Sequence, residues 1–479
     1  MAPRQPKGPE AWIPLPLDKG LFANLDQDAI QGYQTAVENG FVNELGGHTR
    51  FPGLKIFADL GNRDRVYLYD YAGDMIAGTS KGQIFRVDEA ARVNNVTGVP
   101  VAGGRRVIFT ASDREIFAAA GGPIIRLRTD KTELLSENAP LTTHVAWIDG
   151  YVVAPEMNSL RWFHSDPGVP DSWPSQNTFT ADGNPDNINS LLITPFRELL
   201  FGGDKSVEQF ERLTTGTAPF FRRWAVGDGV KFPYCQVFAD NAMWTISKRT
   251  QLVRFSQQSS AVASVEIGQL LEKVDDWTDA WIGGYPETPL HTIGQAFLIL
   301  QIPRATNPYG TKGITLGYDY RHKKYFSLYG FDPQRGLPIR WPGWSHWNIW
   351  NRNFVGGEGV IYEVTDDVHS HAGAIQRWLV RTAHIAEKNQ IQIKNLRLHV
   401  VRGMGTPNTR ATLRVRCSRE GRPFGPWISR DLGFAGDRIQ FKEYGSFGTG
   451  TSFMFEFSST DDCPINLMKA EVKADPIGH

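Results

Sequence analysis

"VYLYDYAGDMIAGTSKGQIFRV", residues 66–87, is the stretch that decides the fold. An apolar run meets a tight turn near Gly73, a second apolar run follows, and a further turn leads into a third. Runs this short, bounded by Gly and polar residues, read as strands, and the close spacing of the first two reads as a hairpin. The module returns as VIFTASDREIFAAAGGPIIRL (107–127), HVAWIDGYVVAPEMNSLRWF (144–163), SLLITPFRELLFGGDKSVEQF (190–210) and CQVFADNAMWTISKRTQLVRF (235–255). A sixth copy, HTIGQAFLILQIP (291–303), carries a long insertion before GITLGYDYRHKKYFSLYG (313–330). The seventh is HWNIWNRNFVGGEGVIYEV (346–364). The first turns fall near Gly73, Arg114, Gly150, Arg197, Asn241, Gln295 and Asn353.

A period of about 40–50 residues is that of a four-stranded propeller blade. Several copies show a fourth strand, such as FFRRWAV (220–226). Strands apolar on both sides of the turn suit blades packed between neighbours. The expected fold class is therefore all-β: a β-propeller over residues 51–384, seven blades being favoured and six possible. A large β-sandwich is the rival, but it has no reason to repeat one hairpin seven times. Residues 1–50 lie outside the repeat and read as an extended N-terminal arm with one short helix. From 385 to 479 the pattern changes to period-two alternation in IQIKNLRLHVV (391–401), ATLRVRC (411–417), RIQFKEYG (438–445), TSFMFEFSS (451–459) and NLMKAEVKA (466–474). That predicts a C-terminal antiparallel β-sheet or sandwich, with one face toward solvent.

Lys plus Arg and Asp plus Glu both number 51, so the formal charge is zero. A protein that grips nucleic acid through its phosphates needs a basic excess, and only residues 385–479 lean that way, with 14 Lys and Arg against 10 Asp and Glu. The three cysteines, Cys235, Cys417 and Cys463, form no CxxC pair, which predicts reduced thiols rather than a disulfide framework. The first twenty residues have no apolar core, so no signal peptide is expected. The apolar run near Ala296–Ile302 is too short to span a bilayer.

Motifs for chemistry are weak. HExxH, P-loop and GxGxxG patterns do not occur. GTSKG (78–82) matches G-x-S-x-G, but a nucleophile elbow runs into a helix and Ser80 is followed by the strand-like QIFRV. TDDVHSHAG (365–373) gathers Asp366, Asp367, His369 and His371. Two His at i and i+2 of a strand share a side, as metal ligands can, against the plainer reading of a polar turn between propeller and tail sheet. RWPGWSHWNIWN (340–351) holds Trp341, Trp344, Trp347 and Trp350. If 344–350 is extended, Trp344 and Trp350 share one face and Trp347 takes the other. Buried, they fill gaps between blades; exposed, they anchor a partner or stack on sugars.

RVRCSREGRPFGPW (414–427) resembles the Ser-x-Asp-x-Gly-x-x-Trp turn of sialidase-type propellers. In that turn the carboxylate is structural and the Trp packs beneath it. Here the acid is Glu420, the turn is lengthened by Pro423 to Pro426, and it lies outside the blade repeat, so it reads as scaffold. A sialidase also needs an Arg cluster and a Tyr/Glu nucleophile pair.

Three longer stretches carry a resemblance, in order. They are NGFVNELGGHTRFPGLKIFADL (39–60), FHSDPGVPDSWPSQNTFTADGNPDNINSLLITPFRELLFGGDKSVEQFERLTTGTAPFFRR (163–223) and LRVRCSREGRPFGPWISRDLGFAGDRIQFKEYGSFGTGTSFMFEFSSTDDCPINLMKAEV (413–472). Together they resemble the tail hub, also called the nozzle or packaged-DNA stabilisation protein, of short-tailed bacteriophages. The first is similar to the segment that leads into the family's propeller through an Arg/Phe-Pro-Gly turn (Arg50, Phe51, Pro52). The second is similar to its central blades, the third to its last domain; Glu420 and Arg422 depart from that domain's Ser-Asp-Asp-Gly-Gly turn.

The resemblance implies a structural virion protein, made and assembled in the bacterial host cytoplasm and located in the virion tail. It implies a homo-oligomeric ring, a hexamer, below the portal and its adaptor. Such a ring prolongs the channel for double-stranded DNA without sequence-specific binding and retains the packaged genome. It also holds tail spikes or fibres and meets the needle or plug. No catalysis and no cofactor are implied. The expected interface residues are Arg50, Phe51, Pro52, Trp344, Trp347 and Trp350, with the loops Pro303 to Thr311 and Gln334 to Trp341, the arm and the tail sheet. The alternatives are a propeller glycoside hydrolase, which needs paired carboxylates near the propeller axis, and a carbohydrate-binding propeller acting on surface polysaccharide.

Overall fold

The computed structural model describes residues 12–22, 35–213, 218–256, 259–284, 296–401, 411–433 and 442–476. The expected turn at Gln295, the start of the sixth copy and residues 438–441 lie outside them. The described residues form an all-β structure with a β-propeller and a C-terminal β domain; its helical content is a single turn at Val265–Ile267 and a short helix at Gly268–Glu272.

Six copies of the repeat stand as separate blades. Five are antiparallel meanders at 66–95, 108–134, 146–180, 188–226 and 236–262. The sixth separate blade begins with Ser345–Ile349, Arg352–Gly356 and Val360–Thr365. Its fourth strand comes from the other end of the propeller sequence: Gly53–Asp59 pairs antiparallel with Val360–Thr365, and Ser370–His371 and Ala374–Ile375 extend the sheet beyond it. Beginning and end of the ring are thus hydrogen-bonded together, which leaves no open blade at the junction.

The remaining copy is Trp281–Gly284, Phe297–Thr306, Lys312–Asp319 and Lys324–Ser327. Its first strand neighbours Gln236–Ala239 on one side and Ser345–Ile349 on the other, so it fills the last position round the axis. It is not a separate blade. Its outer strand is covered by the arm strand Ala36–Glu38, through Glu38 beside Ser327, and Ala36–Glu38 pairs in turn with Trp378–Arg381. Trp378–Arg381 pairs with Gly448–Ser459 of the C-terminal domain. One continuous sheet therefore runs from propeller to tail. The expected insertion in this copy is a long hairpin of strand, and the strand Trp281–Gly284 was not foreseen because the segment after it interrupts the module.

Turn chemistry explains the repetition. Ala72–Gly73, Asp149–Gly150, Asp240–Asn241 and Trp350–Asn351 all have positive φ, between 46° and 90°. A two-residue hairpin that matches strand twist requires this left-handed pair, hence the Gly, Asn and Asp. The last turn lies at Trp350–Asn351 rather than near Asn353, which sits inside a strand. Trp350 takes φ 50°, an uncommon state for a bulky residue, held by Nε1 donating to Gly73 O at 2.8 Å and by packing on Phe57 and Phe354. In GTSKG, Ser80 sits in a turn followed by the strand Ile84–Val87, and its Oγ accepts from Arg65 N at 3.2 Å.

The propeller core is partitioned, each cluster lying between adjacent blades. Trp162, fully buried, stacks on Phe179 and Phe201 and meets Phe210 and Phe220 edge-on. A separate cluster fills the C-terminal domain, built on Leu396, Leu398, Leu413, Val415, Phe453, Phe455 and Phe457, with Leu15 and Leu17 from the arm. There Ile385–Val400 lies between Gly448–Ser459 and Asn466–Pro476 and pairs with both, with register shifts along each pairing. The strand Ile428–Gly433, unforeseen, pairs with Ala411–Arg419. All three cysteines are free. Among the described residues no helix is long and apolar enough to cross a membrane.

Candidate functional site

The innermost strands of the blades surround a cavity of about 800 Å³ on the propeller axis. These strands run in one direction, so their starts share one end and their ends the other. At the start end lie Tyr67, Arg106, His144, Tyr234, Trp281 and His346. Tyr67, Trp281, His144 and His346 are buried, which makes this end the floor. At the other end Tyr69, Phe109, Phe238, Trp347, Asp240 and Asn241 are half-buried or exposed and form the mouth.

The floor is built around Arg106. Its guanidinium lies 4.8 Å from the Tyr67 ring centroid and 4.7 Å from that of Trp281, and its Nη2 donates to Trp344 O. Trp281 is held in turn, its Nε1 donating to Gln301 Oε1 at 2.7 Å and Gln301 Nε2 donating to Trp341 O at 3.1 Å. His144 donates from Nε2 to Pro233 O at 3.0 Å and stacks on Tyr234. His346 donates from Nδ1 to Gly284 O at 3.0 Å. Burial lowers both imidazoles to about 4, so both are neutral at pH 7. Arg106 is then the sole cation among the described lining residues. Asp240 is the sole carboxylate among them; at the mouth, it accepts from Arg254 Nη2 at 3.1 Å. Gln236 Oε1 is buried with no donor among the described residues. Tyr69 joins Phe109 (5.8 Å) and Trp347 (5.2 Å) in one aromatic ledge.

Of the site residues expected from the sequence, Trp347 alone reaches this cavity; it is 38% exposed. Trp344 is buried between Arg65 and Arg340, whose guanidinium carbons lie 4.4 and 4.2 Å from its ring. The expected shared face of Trp344 and Trp350 does not form, because the strand covers only Ser345–Ile349 and Trp350 occupies the turn.

Arg50, Phe51 and Pro52, expected at an interface, are buried within the chain. Phe51 packs with Phe41, Phe297 and Phe326. Arg50 donates to the carbonyls of Asp461, Cys463 (3.0 Å), His369 (3.0 Å) and Gln376, and to Gln376 Oε1 (3.1 Å). It clamps the tail, the connector and the arm together. His369 and His371 are buried beside it, and burial, then the Arg50 charge, lowers them to about 4 and about 3. Asp366 is half-buried and Asp367 exposed. A guanidinium against two imidazoles opposes a second cation, and among the described residues no group of three His, Cys, Asp or Glu is placed to hold a metal ion.

In the Asp-box-like turn, Glu420 N donates to Ser452 O at 2.9 Å and the Glu420 carboxylate accepts from Thr451 N, on a neighbouring strand rather than in its own turn. Trp427 covers Arg416 at 4.3 Å. The loop Pro303–Thr311 caps a hairpin and rests on the next one, Thr311 Oγ1 donating to Pro338 O at 2.5 Å.

Arg106, Gln236, Tyr69, Phe109 and Trp281 were not singled out from the sequence. A signal existed: Tyr69, Phe109, Phe238 and Trp347 are aromatics shortly before the first turn of four modules, a position that faces the axis once the ring is closed.

No protein-family model and no curated protein matches the chain. Solved structures similar to it are propellers. The WD40 β-propeller domain of Doa1 is 11% identical, with 65% of this chain and 97% of that one covered and a TM-score of 0.40. Virginiamycin B lyase from Staphylococcus aureus is 11% identical, with 65% and 98% covered and a TM-score of 0.42. The computationally designed Ika8 protein is 11% identical, with 65% and 99% covered and a TM-score of 0.36.

Proposed function

We propose that this chain is a structural subunit of a ring in the tail of a short-tailed bacteriophage, the hub or nozzle below the portal and adaptor. The carrying observation is the continuous sheet from the propeller copy at 281–327, through the arm strand Ala36–Glu38, into the C-terminal domain. A ring that carries load between a portal and spikes, fibres or a plug needs such coupling. Around this seam Asn39 donates from Nδ2 to Tyr329 O (3.0 Å) and Arg377 O (2.8 Å), and Arg377 pairs with buried Glu38 at 2.5 Å. Zero net charge supports a channel that must hold and then release DNA, since each neutralised phosphate adds a salt-dependent grip. With Arg50, Phe51 and Pro52 inside the chain, the ring contacts fall to outer loops, such as the exposed Gln334–Gly336, and to the tail sheet.

The hydrolase alternative requires two carboxylates on the axis. Asp240, held by Arg254, is the carboxylate of the described lining, and no observation favours that reading. Negative-stain electron microscopy of the purified chain with the portal–adaptor complex of its particle tests the proposal. Closed rings stacked on the adaptor are expected; monomers alone in the presence of the adaptor overturn it.

A further inference from the structure

The axial cavity is larger than packing requires. Its volume of about 800 Å³ is that of a small-molecule site, and its walls combine apolar rings with a few polar groups, as such sites do. Three features give it a chemical direction. First, Arg106 donates one hydrogen bond among the described residues, to Trp344 O, and has no carboxylate partner there. Its two ring contacts stabilise the charge without using its in-plane donors, so the guanidinium can still take a carboxylate in the plane. Second, with His144 and His346 neutral by burial, the floor carries one net positive charge, while Asp240 sits at the mouth against Arg254. Third, the Tyr69–Phe109–Trp347 ledge offers flat faces at the mouth. Flat aromatic faces suit a ring with C–H bonds on its face.

We propose that the propeller axis is a binding site for one carboxylate-bearing sugar ring, a uronic-acid unit of an acidic glycan. The carboxylate meets Arg106 and the sugar face rests on Tyr69 and Trp347. The site does not depend on the ring-forming reading, and either stands if the other fails.

Calorimetric titration of the full chain with digalacturonate, digalactose and benzoate tests it, with tryptophan fluorescence in parallel. Digalacturonate binds saturably and weakens with added salt, and digalactose binds at least about tenfold more weakly, the worth of a charge-assisted hydrogen bond. Arg106→Gln removes that preference. Trp347→Ala, at a half-exposed position, weakens digalacturonate about fivefold with an unchanged melting temperature, and so decides the matter should the Arg106 variant not fold. Absence of saturable digalacturonate binding overturns the proposal. So does equal affinity for digalactose, or digalacturonate affinity unchanged by Trp347→Ala. Tighter binding of benzoate than of digalacturonate overturns the sugar assignment.

Discussion

Arg50 and Arg106 are both cations without a carboxylate partner among the described residues, and they do opposite things. Arg50 spends its donors on four carbonyls and an amide from the connector and the tail. Among the described residues Arg106 has one carbonyl and two aromatic faces, and it borders a cavity. A buried cation saturated by backbone oxygens is a structural rivet; one left with free donors beside a cavity is poised to bind. Burial alone does not separate the two cases, but hydrogen-bond saturation does.

The largest expected effect is at the rivet. Arg50→Met takes the Arg50 donor from the carbonyls of Cys463, His369 and Gln376, while Asp461 O keeps its bond from Cys463 N, and lowers unfolding free energy by about 4 kcal/mol, read from urea midpoints. A loss below about 1 kcal/mol breaks the comparison. Gln376→Leu removes the acceptor for Arg50 Nε and the donor to Pro52 O (3.1 Å), and costs about 2 kcal/mol in the same assay. Arg106→Met, by contrast, leaves one orphan carbonyl and keeps an unbranched chain between Tyr67 and Trp281, so about 1 kcal/mol is expected.

Acid sharpens the contrast. His369 and His371 titrate near 4 and 3 when folded and near 6.5 when unfolded, so the unfolded chain binds more protons between those values. Stability is full above about pH 6.5 and falls as pH drops toward 4. His371→Asn flattens that fall in a series of melting temperatures. The smallest effect is Trp347→Ala, within about 0.5 kcal/mol of the native chain, because the ring is partly exposed at the cavity mouth.

Much of this was legible in the sequence. The repeated hairpin declared the blades, because two-residue turns need Gly, Asn or Asp at positive φ, and Gly73, Gly150 and Asn241 stand where the turns form. Period-two alternation declared the C-terminal sheet. Trp350 misled, since a bulky residue with positive φ is rare and no local pattern announces one. Arg50, Phe51 and Pro52 misled differently: a turn matched by resemblance carries no information about which side of it is covered. The His369/His371 pair was a weak ligand candidate beside the plainer reading of a polar turn, and Arg50, more than three hundred residues earlier in the chain, lies against it.

The sequence by itself determined the unit: strand lengths, turn types and the period that makes a blade, all set by neighbours within a few residues. Only the tertiary structure decided which edges meet. Gly53–Asp59 closes the last blade, the arm strand joins the propeller to the tail, and the modules converge to leave a cavity with Arg106 at its floor. Those pairings depend on hydrogen-bonding edges that look alike along any strand, so their choice rests on the packing of distant segments rather than on local composition.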